Sequence, residues 1–155
     1  MRKVVANSTP LIILSNISKI DILKQLYGII YIPSGVFEEV NVTGSSESYD
    51  FIKVVSIKNE GAKQFFPISL HKGEVEVMIL AKEINADLCI IDDYLARKHA
   101  KSLGLTVTGT LGVLIKAKEK GILKEVKPLI DKMLQKKFYI DRKLYNEVLE
   151  ICGEK

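Results

Sequence analysis

Long hydrophobic runs are missing from this 155-residue sequence: its apolar stretches are as short as LIIL and LCII, far below the roughly 20 residues of a membrane-spanning helix. No membrane partner is therefore expected. Cysteine is scarce as well. Cys89 lies inside an apolar segment and Cys152 near the C-terminus, neither with a zinc-type partner at close spacing. A disulfide framework is not supported, and reduced thiols in a cytosol are expected. His71 and His99 stand isolated, which argues against zinc and leaves both as surface or helix-face residues. The glycines of SLGLTVTGTLG form neither G-x-x-x-x-G-K nor G-x-G-x-x-G, so there is no phosphate-binding loop. Ser8 and Thr9 lack a histidine base nearby in sequence, and capping explains them better than nucleophilic catalysis. The tyrosines and phenylalanines are scattered, with no stacking platform for nucleic-acid bases. Internal repeats and linkers rich in Gly, Pro or Ser are lacking too. Residues 1–155 are expected to form one domain, long enough for a hydrophobic core.

What is present has the make-up of a soluble globular protein, 47% hydrophobic and 27% charged. MRKVVANSTPLIIL starts basic and turns apolar, but Asn7, Ser8, Thr9 and Pro10 interrupt the apolar region. It reads as the first strand and helix of a mature cytoplasmic protein rather than as a leader. The net charge of +4 is unevenly placed. Residues 1–100 hold 11 Lys+Arg against 12 Asp+Glu, whereas residues 101–155 hold 12 against seven. A basic C-terminal third favours a polyanion by simple electrostatics, although lysines on amphipathic helices also merely solvate a surface.

KVVA (3–6) reads as a strand, and TPLIILSNI as a helix with Thr9 at the N-cap and Pro10 first inside it. SKIDILKQLYG is a helix ended by Gly28, IIYIP a strand, SGVFEEVNV a helix, SSES (45–48) a loop and FIKVVSI a strand. Residues 58–70 are poorly periodic. The helices KGEVEVMILAKEIN, DYLARKHAKSLG and TLGVLIKAKEKG then alternate with the strands ADLCIID and LTVTG, and VKPLIDKMLQKK and DRKLYNEVLEICG close the chain as helices. Strands alternating with helices, and apolar throughout, predict an α/β fold with a parallel sheet covered on both faces.

In such a sheet, functional groups collect at the carboxyl ends of the strands. IIDDYLAR (90–97) sets Asp92 and Asp93 directly after an apolar strand, where two like charges need a reason. Asn7 follows the first strand, Glu74 lies in the first turn of the helix before 87–91, and Glu38 and Glu39 lie on the helix after the second strand. If the first strand and the 87–91 strand are neighbours, these side chains meet at one sheet edge. An acidic cluster there is costly without a cation, and a hard ion such as Mg²⁺ takes oxygen ligands. Each acid also has a plainer reading. Asp92 would serve as the N-cap of the next helix, Asp93 and Glu74 as first-turn acids favoured by the helix dipole, and Glu38 and Glu39 as solvated side chains. Spacing alone leaves both open.

Taken in order, NSTPLI, YIPSGVFEEV, GEVEVMILA, ADLCIIDDYLAR and LTVTGTLGVL resemble the PIN-domain superfamily over roughly residues 3–150. The closest similarity is to its VapC-like branch of short chains with a Thr-Gly-Thr-Leu-Gly segment. The resemblance implies a PIN-like three-layer α/β/α fold with a central, mostly parallel sheet. It also implies an Mg²⁺- or Mn²⁺-dependent ribonuclease acting as the toxin of a toxin–antitoxin pair, with RNA as substrate, a small antitoxin protein as partner and a homodimeric assembly. By motif position it assigns catalysis to Asn7, Glu39, Glu74 and Asp93, and metal ligation to Glu39, Glu74 and Asp93 with Asp92 as an adjacent supporting or alternate ligand. Arg97, one turn beyond Asp93, would orient a carboxylate or bind substrate phosphate, against the alternative of an ordinary i,i+4 ion pair. The departure from the pattern is Asn7, where aspartate is usual: an amide oxygen ligates Mg²⁺ but brings no charge, so weaker metal binding is expected. Beside the endoribonuclease stand two alternatives, a catalytically degenerate nucleic-acid-binding module and an interaction protein whose acidic edge is structural.

Overall fold

The segments VVA (4–6) and LCI (88–90) carry no polar side chain to turn toward water, and both are fully buried strands. The structure, a computed structural model, describes residues 2–42 and 49–155, with Val42 described by its backbone alone. The elements are β1 (Val4–Ala6), α1 (Ser8–Asn16), α2 (Asp21–Tyr27), β2 (Ile30–Ile32), α3 (Ser34–Val42) and β3 (Ile52–Val54). After a 3₁₀ turn (Glu60–Phe65) come α4 (Lys72–Glu83), β4 (Leu88–Ile90), α5 (Tyr94–Ser102) and β5 (Val107–Thr108). The chain closes with α6 (Thr110–Glu119), α7 (Lys127–Gln135) and α8 (Arg142–Ile151). The loop expected at 45–48 lies outside the described residues.

The strands form one five-stranded sheet in the order β3-β2-β1-β4-β5. Every pairing is parallel, so the three-layer α/β/α architecture holds with a wholly parallel sheet among the described residues. Leu11, Leu14, Leu23, Met78, Leu80, Leu114 and Ile130 fill the space between sheet and helices at 2% exposure or less. Each such side chain stabilises the fold by about 1.5–3 kcal/mol relative to exposure.

The first strand and the 87–91 strand are indeed neighbours: Val4, Val5 and Ala6 pair with Leu88, Cys89 and Ile90. The Asn7 N–H donates to the Ile90 carbonyl at 3.0 Å and carries the ladder one residue further. From β1 the sheet grows to β2 and β3 on one side and to β4 and β5 on the other. Strand order therefore reverses between β1 and β4, and the crevice beyond their carboxyl ends is where open α/β sheets bind ligands.

Two helix starts differ from the sequence-based expectation. Asn7, not Thr9, caps α1, with an extended backbone at φ −81° and ψ 170°. Pro10 sits third in the helix, still within the first turn, where a missing N–H forfeits no intrahelical bond. Asp93, not Asp92, caps α5. Gly28 ends α2 as expected, at φ +78°, a left-handed conformation that glycine adopts without strain.

Candidate active site

Asn7 opens the crevice. It is 4% exposed, makes no side-chain capping bond, and its Oδ1 has no hydrogen-bond partner. A buried acceptor left unpaired costs about 1–3 kcal/mol. Beside it the buried Ser8 hydroxyl donates to Glu39 Oε2 at 2.7 Å, tying α3 to α1. The other oxygen of Glu39 packs against Gly73 in the first turn of α4, so that a Cβ there would collide with it and stand 3.5 Å from Asn7 Oδ1. Glycine at this position leaves room for the Glu39 oxygen where it stands, while the Asn7 oxygen would be in ordinary contact with a Cβ.

Glu74 follows in the same turn and is 5% exposed. Its Oε1 accepts from the His71 N–H at 3.0 Å. Burial raises its pKa above the ordinary 4.5; the His71 bond opposes this, and the nearby charges of Asp93 and Glu39 reinforce it. Asp93 approaches from the end of β4, exposed, with its Oδ2 accepting from the Ala96 N–H at 2.9 Å. The structure thus brings Asn7, Glu39, Glu74 and Asp93 to one crevice on four separate elements.

Asp92 is held differently. Its Oδ1 accepts from the Thr110 N–H at 2.8 Å and its Oδ2 from the Thr110 hydroxyl at 2.6 Å, which fastens the end of β4 to the start of α6. Burial pushes its pKa up, while the Thr110 bonds and the Arg97 charge pull it back. The segment TGTLG serves this junction. A Cβ on Gly109 would lie 2.6 Å from Arg97 Nη1 and 2.7 Å from Asp92 Oδ1, and one on Gly112 would strike the Thr108 hydroxyl. Arg97 donates to the Ile91 carbonyl at 3.2 Å, and among the described residues it forms no ion pair with Asp93. The plain i,i+4 reading of Arg97 is therefore set aside. Glu38 points elsewhere, toward the exposed Lys72 at 3.5 Å.

Three carboxylates and an unpaired amide oxygen make an all-oxygen donor set, the kind that suits Mg²⁺, Mn²⁺ or Ca²⁺. One oxygen of each carboxylate is engaged by Ser8, His71 or Ala96, and the other accepts nothing from a described residue. Among the described residues no group of three or more His, Cys, Asp or Glu is drawn together tightly enough to hold a metal. The carboxylates stand about the crevice without closing on one point, and the Asn7 oxygen is the buried donor among them that lacks a protein partner.

Sequence reasoning missed the supporting residues Ser8, Gly73 and Thr110. The Gly-Glu and Gly-Thr dipeptides were visible, but their partners lie 31 and 18 residues away for Ser8–Glu39 and Thr110–Asp92. Sequence spacing also left three aromatics unconnected. Tyr94 and the adjacent Phe138 and Tyr139, distant from it in the chain, line one cleft of about 500 Å³ together with Asp92 and Arg97. The scattered rings are gathered by the fold.

Among the described residues no helix is long and apolar enough to cross a membrane. The family model DUF3368, a PIN domain, matches residues 3–154. Neither the curated proteins nor the solved structures compared with the chain include a match.

Proposed function

The chain belongs to the PIN-domain family, a nuclease-type fold, and from that premise we propose that it is a divalent-metal-dependent endoribonuclease whose centre is the crevice between β1 and β4. The observation that carries the reading is the buried, unpaired Asn7 Oδ1 beside Glu39, with the Glu74 pKa raised by burial and, to a lesser degree, by the charges of Asp93 and Glu39. Asn7, Glu39, Glu74 and Asp93 would hold Mg²⁺ or Mn²⁺, which when bound supplies a hydroxide equivalent and offsets charge on the phosphate. Ser8 fixes the rotamer of Glu39, and the Ala96 N–H does the same for Asp93. Asp92 acts through Thr110 by fixing the β4–α5 turn, a positioning role rather than direct ligation. Arg97, anchored on the Ile91 carbonyl, offers its remaining N–H groups to an RNA phosphate. Action as a toxin, an antitoxin protein as partner, a homodimer, a cytoplasmic location and a single-domain chain belong to the same proposal and rest on family analogy.

The test is a Mn²⁺ titration by calorimetry on wild type and Asp93→Asn, followed by RNA cleavage with and without EDTA. Asparagine caps a helix as well as aspartate, so this variant removes charge and keeps the fold. Binding and EDTA-sensitive cleavage in wild type, both lost in the variant, is the expected result. Cleavage that persists in Asp93→Asn removes the proposed centre. A second reading, a nucleic-acid-binding module without turnover, has the neutral Asn7 in its favour. It predicts RNA binding that weakens with salt, no cleavage, and turnover that appears in Asn7→Asp.

A further inference from the structure

The cleft beyond β5 adjoins the acidic crevice, since Asp92 lines it and Tyr94 follows Asp93 directly. Its volume of about 500 Å³ falls within the range of small-ligand sites, roughly 300–1,000 Å³. Its lining includes Tyr94 at the start of α5 and Tyr139 ahead of α8, residues that are 73% and 86% exposed. Leu111, Ile115 and Leu144 add apolar lining, and Arg97, which donates to the Ile91 carbonyl next to Asp92, lines the cleft too. Large aromatic side chains left in water gain from a planar partner, and here two of them border the same hollow.

The surroundings select the partner. The segment KKFYIDRK (136–143) that carries Tyr139 holds four cations against one acid. Lys136, Lys137, Arg142 and Lys143 are all exposed. Apolar faces for a ring, an arginine and flanking cations for a phosphate backbone, and continuity with a phosphodiester-cleaving crevice together describe one occupant. We propose that this cleft is a nucleobase subsite, which takes one unpaired base of single-stranded RNA against Tyr94 and Tyr139 while Arg97 and the 136–143 cations hold the adjoining phosphates. The proposal rests on the ribonuclease reading for its substrate class and adds the subsite that would admit unpaired rather than duplex RNA.

The test uses the full chain in EDTA, so that no strand is cut, and short single-stranded RNAs carrying 2-aminopurine at successive positions. Stacking quenches this base, and base–aromatic stacking corresponds to about a tenfold loss of affinity per ring removed. Wild type is expected to quench one position selectively and to bind the single strand more tightly than the same sequence as a duplex. Tyr94→Ala and Tyr139→Ala should each lose the quench and about tenfold in affinity with an unchanged salt slope, whereas the phenylalanine variants retain both. Lys136→Gln with Lys137→Gln should instead flatten the salt slope by about 0.7 for each phosphate no longer neutralised. Both tyrosines are exposed, so truncation leaves the core intact, and far-UV circular dichroism verifies this. RNA bound equally well and quenched equally by the alanine variants overturns the subsite but leaves the ribonuclease reading standing. Failure of wild type to bind any RNA overturns both. A change in oligomeric state in Tyr139→Ala with RNA affinity unaltered reassigns the cleft to a protein interface and also overturns the proposal.

Discussion

Helices α3 and α4 carry two carboxylate sites built to the same plan and finished differently. In each, a glycine on one helix makes room for a glutamate from the other: Gly35 faces Glu76, and Gly73 faces Glu39. Glu76 is 3% exposed, accepts from the Gly35 N–H at 2.9 Å and pairs with Lys63 at 3.0 Å. Lys63 is held in turn by Glu60 at 2.6 Å, and these two carboxylates raise its pKa, Glu60 foremost. At the other end Glu39, Glu74 and Asp93 face one another and Asn7, and no described lysine or arginine pairs with any of these carboxylates. Burial alone does not separate the two sites, because Glu74 is as hidden as Glu76, although Glu39 and Asp93 are exposed. The counter-charge does. Glu76 has its cation from the same chain, whereas the crevice carboxylates have none among the described residues.

Removing the finished site should have the largest effect. Glu76→Ala strands Lys63 and the Gly35 N–H together, and loss of one partner of a buried pair costs about 3–5 kcal/mol. Because Lys63 remains 30% exposed, the lower end, about 3 kcal/mol, is expected in urea unfolding of the metal-free protein, with Mn²⁺ binding by the folded fraction unchanged. A loss below about 1 kcal/mol would mean that solvent already screens the pair and that the contrast between the sites is not one of internal balance.

The difference between the sites also marks what could be read from sequence. The strands VVA and LCI and the helices around them declare themselves through local composition, and the rule that ligands gather at strand ends brought Asn7, Glu74 and Asp93 together once β1 and β4 were placed side by side. Glu76 gave no such signal. In GEVEVMIL it is an ordinary polar position, and its cation comes from residues 58–70, where no periodicity exists to register. Asp92 was equally opaque: the residue expected to cap α5 bonds Thr110 instead, while its neighbour caps. Local pattern specifies which element a residue belongs to. Which partner it meets depends on pairings across tens of residues, and these leave no periodic trace.

The unfinished site should show itself through pH. Glu74 has a folded pKa above its ordinary 4.5 because it is buried, with Asp93 and Glu39 adding to the shift. A carboxyl with a raised folded pKa binds its proton more tightly in the folded state. Its contribution is thus fully present below the unfolded value and is lost as pH rises through the folded one. In EDTA, Glu74→Gln should therefore melt higher than wild type at neutral pH, since the amide still accepts from the His71 N–H and carries no charge. The advantage should shrink with falling pH and vanish below about 4, beneath the unfolded value. With Mn²⁺ the order should reverse: wild type gains about 2.7 kcal/mol at a hundredfold excess over Kd and the variant gains little. A variant less stable than wild type at pH 7 without metal would show that the ionised Glu74 is already compensated.

The smallest effects should come from the two glycines, and they separate the sites most finely. A Cβ at Gly35 would lie 3.1 Å from Glu76 Oε1 and 3.3 Å from Oε2, against a carboxylate pinned by Lys63. Gly35→Ala should thus lose part of what alanine gains in a helix, about 1 kcal/mol over glycine, and end near neutral with metal affinity untouched. At Gly73 the clash falls on Glu39, an exposed side chain held by the Ser8 hydroxyl alone among the described residues. It can swing aside, so Gly73→Ala should be neutral or slightly stabilising in the metal-free protein. The displaced oxygen is the one beside Asn7, however, and Mn²⁺ affinity should fall on the order of tenfold, about 1.4 kcal/mol. Denaturant midpoints and Mn²⁺ calorimetry on both variants supply the comparison. If Gly73→Ala retained wild-type affinity, Glu39 would be a tether between α1 and α3 rather than a ligand, and the crevice would rest on Asn7, Glu74 and Asp93 alone.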